Sequence, residues 1–196
     1  EASNSASVAS ASQTKQYGSS VTITPSKTQQ FGFDVVGNGT DKPNSYFLKN
    51  KSAQAVAWKS LKAGANDYVD VTATGASIDS LRYLRESGMA TPSTALPKGR
   101  QLLLTGSADG EEELLTVALS TTKMGKDSTI KQTLTELGAL GLVSYNPLVR
   151  EVIIVPVNAA QAPSSSSAIQ TTLNTIFAPA VVSWKVTTAS PLTVTG

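Results

Sequence analysis

The chain has 196 residues, a formal net charge of +2, 40% hydrophobic residues and 15% charged residues. This hydrophobic content is sufficient for a folded core, so the chain is not intrinsically disordered, and its scattered basic residues form no stripe of the kind that binds nucleic acid. Because the sequence contains no Cys and no His, neither a zinc site with the usual ligands nor a Ser-His or Cys-His nucleophile can form.

Residues 1–18 contain few apolar side chains and predict an extended N-terminal arm with at most one edge strand. The chain begins at Glu1 with neither an initiator Met nor an apolar leader, as a mature processed fragment would, although a cut fragment has the same appearance. A polar arm becomes ordered only when its backbone groups find partners. We therefore expect residues 1–14 to lie along a sheet edge, in this subunit or in a partner subunit.

Residues 19–125 are predicted to form a β-rich, antiparallel domain. Alternating apolar residues bounded by Pro, Gly and Asn indicate short strands at residues 20–24, 31–36, 45–50, 53–61 and 68–72. Residues 78–85 fit a helical turn or a strand, and their neighbours favour the strand. Pro92 and Pro97 mark residues 90–98 as a linker or a long loop.

A hairpin is predicted at the end of this domain. Residues 101–105 and 114–120 have the composition of strands, and they lie on either side of Asp109-Gly110. Asp-Gly is a favoured turn pair in two-residue hairpins. The two strands are therefore expected to be antiparallel neighbours.

Residues 126–196 are predicted to form an α/β portion, either in the same sheet as the preceding domain or apart from it. Asp127 and Ser128 have the chemistry of an N-cap, and Gly138 that of a helix end. Between them a short helix is expected, with one apolar face made of Ile130, Leu134 and Leu137. A strand at residues 140–145 follows, placed to form a hairpin with a strand at residues 149–157.

The most regular pattern is a strand, a crossover helix and a strand near the C-terminal end. Residues 152–157 are almost wholly apolar, as expected of a strand covered on both faces. Residues 165–177 predict a helix, and residues 181–187 alternate in the manner of a strand with one face in water. The side chains expected to pack together are Ile169, Leu173, Ile176 and Phe177 of the helix and Val182, Trp184 and Val186 of the last strand. Strands joined by such a helix are parallel, with a right-handed crossover.

These elements together predict an α+β fold that is mostly β. An extended arm spans residues 1–18, an antiparallel β-rich domain spans residues 19–125, and a mixed portion that ends in a β-α-β unit spans residues 126–196. No apolar run approaches the length of about 18 residues that a membrane-spanning helix needs. We therefore expect no membrane span.

No catalytic, cofactor-binding or metal-binding residues are predicted. Several loops carry oxygen ligands suited to calcium, but none has EF-hand spacing, and such loops are usually solvated turns; they contain Asp34, Asn38, Asp41, Asn66, Asp67, Asp70, Asp109, Glu111, Glu112 and Glu113. Glycoside chemistry requires two acids that face each other across a cleft, whereas Glu136 and Glu151 lie on different elements from residues 111–113. We therefore expect no cofactor, no metal and no enzymatic activity of the chain itself.

Residues 152–158, 173–177 and 181–186 resemble the strand-helix-strand that opens metzincin-type zinc metallopeptidase domains. Residues 142–146 resemble the β-rich accessory region that precedes such domains in large exported bacterial proteins. The metal motif of that family, His-Glu-x-x-His-x-x-Gly-x-x-His, is absent from this chain, so none of the family's functional residues is carried over. The resemblance implies either the non-catalytic front of a longer protein or a relative without the chemistry.

The composition favours an extracellular or cell-surface protein, since chains low in charge and rich in Ser, Thr and Ala are common among exported β-rich proteins. We expect a non-catalytic structural or interaction module of such an assembly, with other protein subunits as partners, in the first place through the N-terminal arm, and no nucleic acid. The alternative is an N-terminal accessory fragment of an exported metallopeptidase whose metal site lies outside this chain. A carbohydrate-binding module is less favoured, because aromatic residues make up only 6% of the sequence.

Overall fold

The structure is a computed structural model that describes residues 11–16, 18–36, 47–86, 88–97, 99–124, 130–158, 160 and 165–194. The chain divides into two compact units, Glu1–Tyr145 and Asn146–Gly196. The described residues are mostly in β-strands, with one α-helix among them, which confirms the predicted α+β, mostly β fold class. No helix in these ranges is both long and apolar enough to cross a membrane.

The first unit contains a five-stranded antiparallel sheet. Its strands, in spatial order, are β1 (Ala11–Gln16), β2 (Ser19–Pro25), β5 (Asn66–Thr74), β9 (Gly99–Thr105) and β8 (Thr91–Leu96). β1 pairs with β2 along the sheet edge, with Ala11 opposite Ile23. The expectation that the arm lies along a sheet edge is thus confirmed for residues 11–14, within the same subunit, while residues 1–10 lie outside the described ranges.

A six-stranded sheet completes the first unit. Its strands, in spatial order, are β3 (Phe33–Asp34), β4 (Trp58–Lys62), β11 (Ile130–Tyr145), β10 (Glu112–Met124), β6 (Leu81–Arg85) and β7 (Gly88–Met89). All neighbours in it are antiparallel except β4 and β11, which are parallel with Trp58 opposite Gly141.

The two sheets bury their apolar faces in one shared core, so the first unit is a β-sandwich. Every second residue of the central strands points inward, as strand geometry requires. These inward side chains are 0–1% exposed and comprise Val21, Ile23, Val69, Val71, Leu102 and Leu104 of the five-stranded sheet and Leu61, Leu115, Val117, Leu140 and Leu142 of the six-stranded sheet. Each contributes roughly 1.5–3 kcal/mol through burial.

The predicted hairpin between residues 101–105 and 114–120 is wrong. Gly110 does adopt the left-handed turn conformation, with φ of 76°, but β9 and β10 belong to different sheets. The segment between them crosses the sandwich, because the apolar faces of the two strands are buried against each other's sheets. The Asp109-Gly110 pair determines the local bend of the chain, but it does not determine which strands β9 and β10 pair with.

The predicted short helix that ends at Gly138 is also wrong, because residues 130–145 form the single strand β11. Ile130 and Leu134 are four residues apart, a spacing that a strand and a helix both place on one face. Both side chains are largely exposed, at 73% and 48%, and β10 pairs with β11 along its length apart from one irregularity. The predicted N-cap at residues 127–128 lies outside the described ranges.

The predicted linker at residues 90–98 contains an edge strand, β8, which pairs with β9. Pro92 is compatible with an edge strand because one side of such a strand needs no ladder donor, and the pairing is irregular between Pro92 and Ala95.

Residues 78–85 combine both alternatives, a 3-10 turn at Ile78–Ser80 and then β6. The strands expected at residues 31–36 and 53–61 are shorter than predicted, since only β3 and β4 are regular there.

The second unit contains β12 (Leu148–Ile154), α1 (Ser166–Phe177) and β13 (Val182–Thr188). The two strands are parallel, with Leu148 opposite Val182, which confirms the predicted β-α-β unit. Ser165 caps the helix by accepting a hydrogen bond from the Ala168 N–H at 3.0 Å. The predicted hairpin between residues 140–145 and 149–157 is wrong, because β11 pairs with β10 and β4, and β12 pairs with β13.

The compact units divide after Tyr145, whereas the sequence placed the change from β-rich to mixed structure after residue 125. The difference follows from β11, which belongs to the sandwich. β12 and β13 form a two-stranded sheet of their own rather than joining either sheet of the first unit.

Candidate functional site

The face of β13 that the sequence assigned to the core does pack against the helix. Val186 is 7% exposed, and the Trp184 ring lies 5.3 Å from the Phe177 ring, centroid to centroid, at an interplanar angle of 58°. Tilted pairs at this distance are favourable aromatic contacts. Lys185 and Thr187, on the other face, are exposed, which confirms the prediction of one face in water.

The helix covers less than its sequence pattern predicts. Ile169 and Leu173 are half-buried, but Ile176 is 62% exposed and Phe177 is 37% exposed. The prediction that all four side chains pack on the sheet is therefore wrong for Ile176. Among the described elements the helix packs mainly against β13.

β12 is the strand that the fold leaves uncovered. The sequence predicted that residues 152–157 are covered on both faces, and that prediction is wrong: Ile153 is 61% exposed, Val157 46% and Val155 45%. Earlier in the strand, Val149 is 61% exposed and Leu148 is 49% exposed. The helix packs mainly against β13, and among the described residues of this unit β12 pairs with one strand, β13. The result is an exposed apolar strand on a small sheet.

The hydrogen bonds of the parallel ladder show which backbone groups of β12 point outward. The Leu148 N–H donates to the Val181 carbonyl oxygen at 3.0 Å, and the Ala189 N–H donates to the Ile154 carbonyl oxygen at 2.9 Å. In a parallel pair every second residue directs both its N–H and its C=O to the neighbour. The even-numbered residues of β12 therefore face β13. The odd-numbered residues direct their backbone groups to the opposite, open edge; these are Val149, Glu151 and Ile153.

The corresponding edge of β13 is occupied by side chains of the helix. The Trp184 N–H donates to Asn174 Oδ1 at 2.6 Å, and Asn174 Nδ2 donates to the Trp184 carbonyl oxygen at 3.3 Å. The Val186 N–H donates to Gln170 Oε1 at 2.9 Å. Two side-chain amides thus bind three of the backbone groups that a third strand would otherwise pair with.

One charged pair lies on the solvent face of this sheet. Lys185 Nζ and Glu151 Oε1 are 2.9 Å apart on adjacent strands. The hydrogen bond from Lys185 and its charge lower the pKa of Glu151, and the same contacts raise the pKa of Lys185. Both side chains are about 60% exposed, at 59% and 61%, so water and salt screen the pair.

A second polar site lies inside the sandwich. Lys59 of β4 and Asp67 of β5 are both 0% exposed, and Lys59 Nζ lies 2.5 Å from Asp67 Oδ2. Alternation explains their position, because Lys59 shares an inward face with Leu61, and Asp67 shares one with Val69.

The groups around this ion pair come from the segment that precedes β3. Lys59 Nζ also donates to the Phe31 carbonyl oxygen at 2.6 Å and to Gln29 Oε1 at 3.3 Å. The Asp67 carboxylate accepts the N–H groups of Gln30 at 2.8 Å and of Phe31 at 2.9 Å. Burial lowers the pKa of Lys59, against the opposing hydrogen bond and charge of Asp67. An amine with no exposed surface cannot meet a substrate, so we interpret this site as structural.

A further polar cluster joins β6, β10 and the segment that crosses between the sheets. Arg85 Nη2 is paired with Glu113 Oε1, and it donates to the Thr105 carbonyl oxygen at 3.0 Å. Ser107 Oγ donates to Glu113 Oε1 at 3.0 Å. The Arg85 and Glu113 side chains are each 7% exposed. This cluster fixes the crossing segment and, like the first, is closed to solvent.

The acidic residues considered as calcium ligands are scattered in the structure. Asp67 points into the core, Asp34, Asp109, Glu111 and Glu112 are exposed, and Asn38 and Asp41 lie outside the described ranges. In the part of the chain that is described, no group of three or more acidic side chains is arranged to hold a metal ion.

The structure gives four residues a role that the sequence did not assign to them, two that carry the buried ion pair, of which Asp67 was considered only as a calcium ligand, and two that close the β13 edge. The first two could have been found from alternation: residues 57, 59 and 61 and residues 67, 69 and 71 share inward faces. The other two had no sequence signal, since helix amides that bind a strand are recognised only once the helix is placed. These residues are Lys59, Asp67, Gln170 and Asn174. Comparison of the chain with family models, curated proteins and solved structures finds no match.

Proposed function

We propose that the chain is a non-catalytic interaction module of a secreted or cell-surface assembly, and that a partner subunit binds it by adding a β-strand to β12. The observation that carries the proposal is the open edge of β12, where the backbone groups of Val149, Glu151 and Ile153 point away from β13. Strand addition uses main-chain hydrogen bonds for affinity and alternate side chains for specificity.

The exposed side chains of β12 favour the same mode of binding. Val149 and Ile153 are each 61% exposed, and alternation places both on the solvent face of the sheet with Glu151 between them. A bound strand would bring its own side chains beside these apolar groups, which contribute through burial. The partner expected from this surface is an extended segment with apolar residues at alternate positions.

The N-terminal arm is a weaker candidate for the same role. Residues 11–16 already pair with β2 in the same subunit, so their ladder groups on that side are in use. This moves the proposed assembly surface from the arm to β12. The extracellular or cell-surface location rests on composition, since only 15% of the residues are charged.

Site-specific photo-crosslinking tests the proposal in the cells that make the protein. A photoreactive amino acid at Val149 or Ile153 should give one defined crosslinked species, whereas the same group at the exposed position Lys27 or Asp109 should not. Glu151→Pro removes the outward N–H of residue 151, which lies between those of Val149 and Ile153, and should abolish the crosslink. Glu151→Ala keeps that N–H and should retain it. Equal crosslinking from all four positions would contradict the proposal.

A second candidate function has support in the same feature. If further strands of a longer polypeptide pair with β12, the second unit is the opening β-α-β of a larger domain, as the resemblance to metzincin-type metallopeptidases implies. The chain would then be an accessory fragment whose metal site lies outside it. The intact mass of the native protein distinguishes the two: a mass of 20.3 kDa favours the interaction module, and a substantially larger one favours the fragment.

A further inference from the structure

We propose that the side-chain amides of Gln170 and Asn174 act as a substitute strand that closes the β13 edge, and that they thereby prevent a second copy of this chain from adding its β12 there. The inference rests on the proposed function only in taking β12 as the open edge. It concerns the opposite side of the same sheet, where no partner is proposed.

The geometry of the amides matches that of a neighbouring strand. In a parallel ladder the outward residues of β13 are the even-numbered ones, and the two bound by the helix are of this set, Trp184 and Val186. Asn174 binds both the N–H and the C=O of Trp184, at 2.6 Å and 3.3 Å. Gln170 lies one helical turn earlier and binds the Val186 N–H at 2.9 Å.

The spacing of the two amides explains why they reach alternate residues of the strand. Residues four apart on a helix lie on the same face, about 6 Å from each other. Residues two apart on a strand are separated by a similar distance, roughly 6.6 Å. A Gln and an Asn at this helical spacing can therefore bind successive outward positions of a strand that runs alongside in the opposite sense.

Without the Gln170 and Asn174 amides, the outward backbone groups of β13 would be free to pair with another strand. The unit would then present two complementary edges, β12 on one side and β13 on the other. Adding β12 of one copy to β13 of the next is a head-to-tail contact, which leads to rings or open-ended filaments larger than a dimer. Native proteins protect strand edges against such growth, and here helix side chains provide the protection.

The test compares the wild-type chain with Gln170→Met/Asn174→Leu, which introduces side chains of similar shape and good helix-forming residue types but removes the amides. In sedimentation experiments the double variant should show a mass that rises with protein concentration beyond the mass of the wild type. Adding Glu151→Pro should return it to the wild-type mass, whereas adding Glu151→Ala should not. This reversal separates strand addition from association through the new apolar side chains.

A second variant covers the case in which the double substitution disturbs the fold. Asn174→Asp can still accept the Trp184 N–H but cannot donate to the Trp184 carbonyl oxygen, and it should associate to a smaller extent. Absence of association in both variants, or association that persists with Glu151→Pro, would overturn the proposal. Since the readout needs no natural partner, its failure is distinct from failure of the photo-crosslinking experiment.

Discussion

Lys59 and Asp67 form an ion pair that is shielded from water, and this burial determines how much each charge affects the free energy of unfolding. Their side chains are 0% exposed, so each charge depends on the other and on the backbone groups of residues 30–31. Breaking a buried pair by removing one partner is strongly destabilising, because it leaves an uncompensated charge. The pair can be replaced at lower cost when both members are exchanged for apolar residues of similar volume.

Asp67→Ala is therefore expected to lower the free energy of unfolding by about 3–5 kcal/mol, and Lys59→Met/Asp67→Leu by less. Urea unfolding followed by tryptophan fluorescence measures both. Glu151→Ala, which breaks an exposed pair, serves as the control and should leave the midpoint unchanged. A loss for Asp67→Ala no larger than that of the control would show that the buried pair does not stabilise the sandwich.

The lowered pKa of Lys59 predicts a dependence of stability on pH. Burial penalises protonated Lys59 in the folded state, so in the range between the folded pKa and the unfolded value of 10.5 the unfolded chain binds more protons. The contribution of Lys59 to stability therefore increases as pH rises through its folded pKa. In the pH range immediately below 10.5, the free energy of unfolding of the wild type should therefore rise more steeply with pH than that of Lys59→Met.

Tyr83 supplies the control for this measurement. Burial raises its pKa, so above the ordinary tyrosine value its contribution to stability falls as pH rises, opposite in sign to that of Lys59. A Tyr83→Phe background removes this effect. Parallel pH profiles for the wild type and Lys59→Met in that background would contradict the assignment to Lys59.

At the scale of the element, the sequence predicts where strands lie better than what they pair with. Val69 and Val71, Leu102 and Leu104, and the helix before β13 are all recognisable from alternation or helical spacing. The partners of β9, β10 and β11 were not, because pairing depends on which apolar faces meet across the sandwich. Ile130 and Leu134 illustrate the ambiguity between helix and strand, because their spacing fits both. Since both side chains are largely exposed, burial does not favour a helix over a strand at these positions.

The sequence did not predict the open edge of β12, and the physical reason is related. The apolar run at residues 152–157, which begins within β12, predicted burial, yet the amount of covering structure is set by the placement of α1. Likewise, the inward positions of Lys59 and Asp67 follow from alternation, while their contact depends on how the two sheets face each other. Local pattern thus indicated most of the elements, with the helix predicted within β11 as an exception, and long-range packing determined both candidate sites.

The half-burial of the helix predicts a graded response to truncation. Leu173→Ala should lower the free energy of unfolding of the second unit by about 1–2 kcal/mol, below the range of fully buried leucines, since Leu173 is half-buried. Ile176→Ala should have a much smaller effect, because Ile176 is 62% exposed. Urea unfolding in a Trp58→Phe background, where Trp184 is the reporter, measures both. Equal losses would show that the helix packs differently.

At the scale of the whole molecule, the two units differ in how much core each one has. The first buries an extensive set of aliphatic side chains. In the second, the buried positions among the described residues are Pro156, Val181 and Val186. Since burial of apolar surface is the main source of stability, the second unit should be the weaker of the two.

Unfolding is accordingly expected in two transitions rather than one. Trp58 lies in the first unit and Trp184 in the second, so single-tryptophan variants, Trp184→Phe and Trp58→Phe, report each unit separately. The midpoint seen by Trp184 should occur at a lower urea concentration than that seen by Trp58. Coincident midpoints are the signature of a single cooperative transition and would contradict this expectation.

The parallel pairing of β4 with β11 also has a consequence for the order of events during synthesis. Trp58 lies opposite Gly141, so β4 cannot acquire its central neighbour until the ribosome has made more than eighty further residues. Closing so long a loop costs entropy before any contact compensates for it, and folds dominated by distant pairings form slowly. We therefore expect the six-stranded sheet to remain incomplete, with β4 lacking this neighbour, until residues 141–145 have been synthesised.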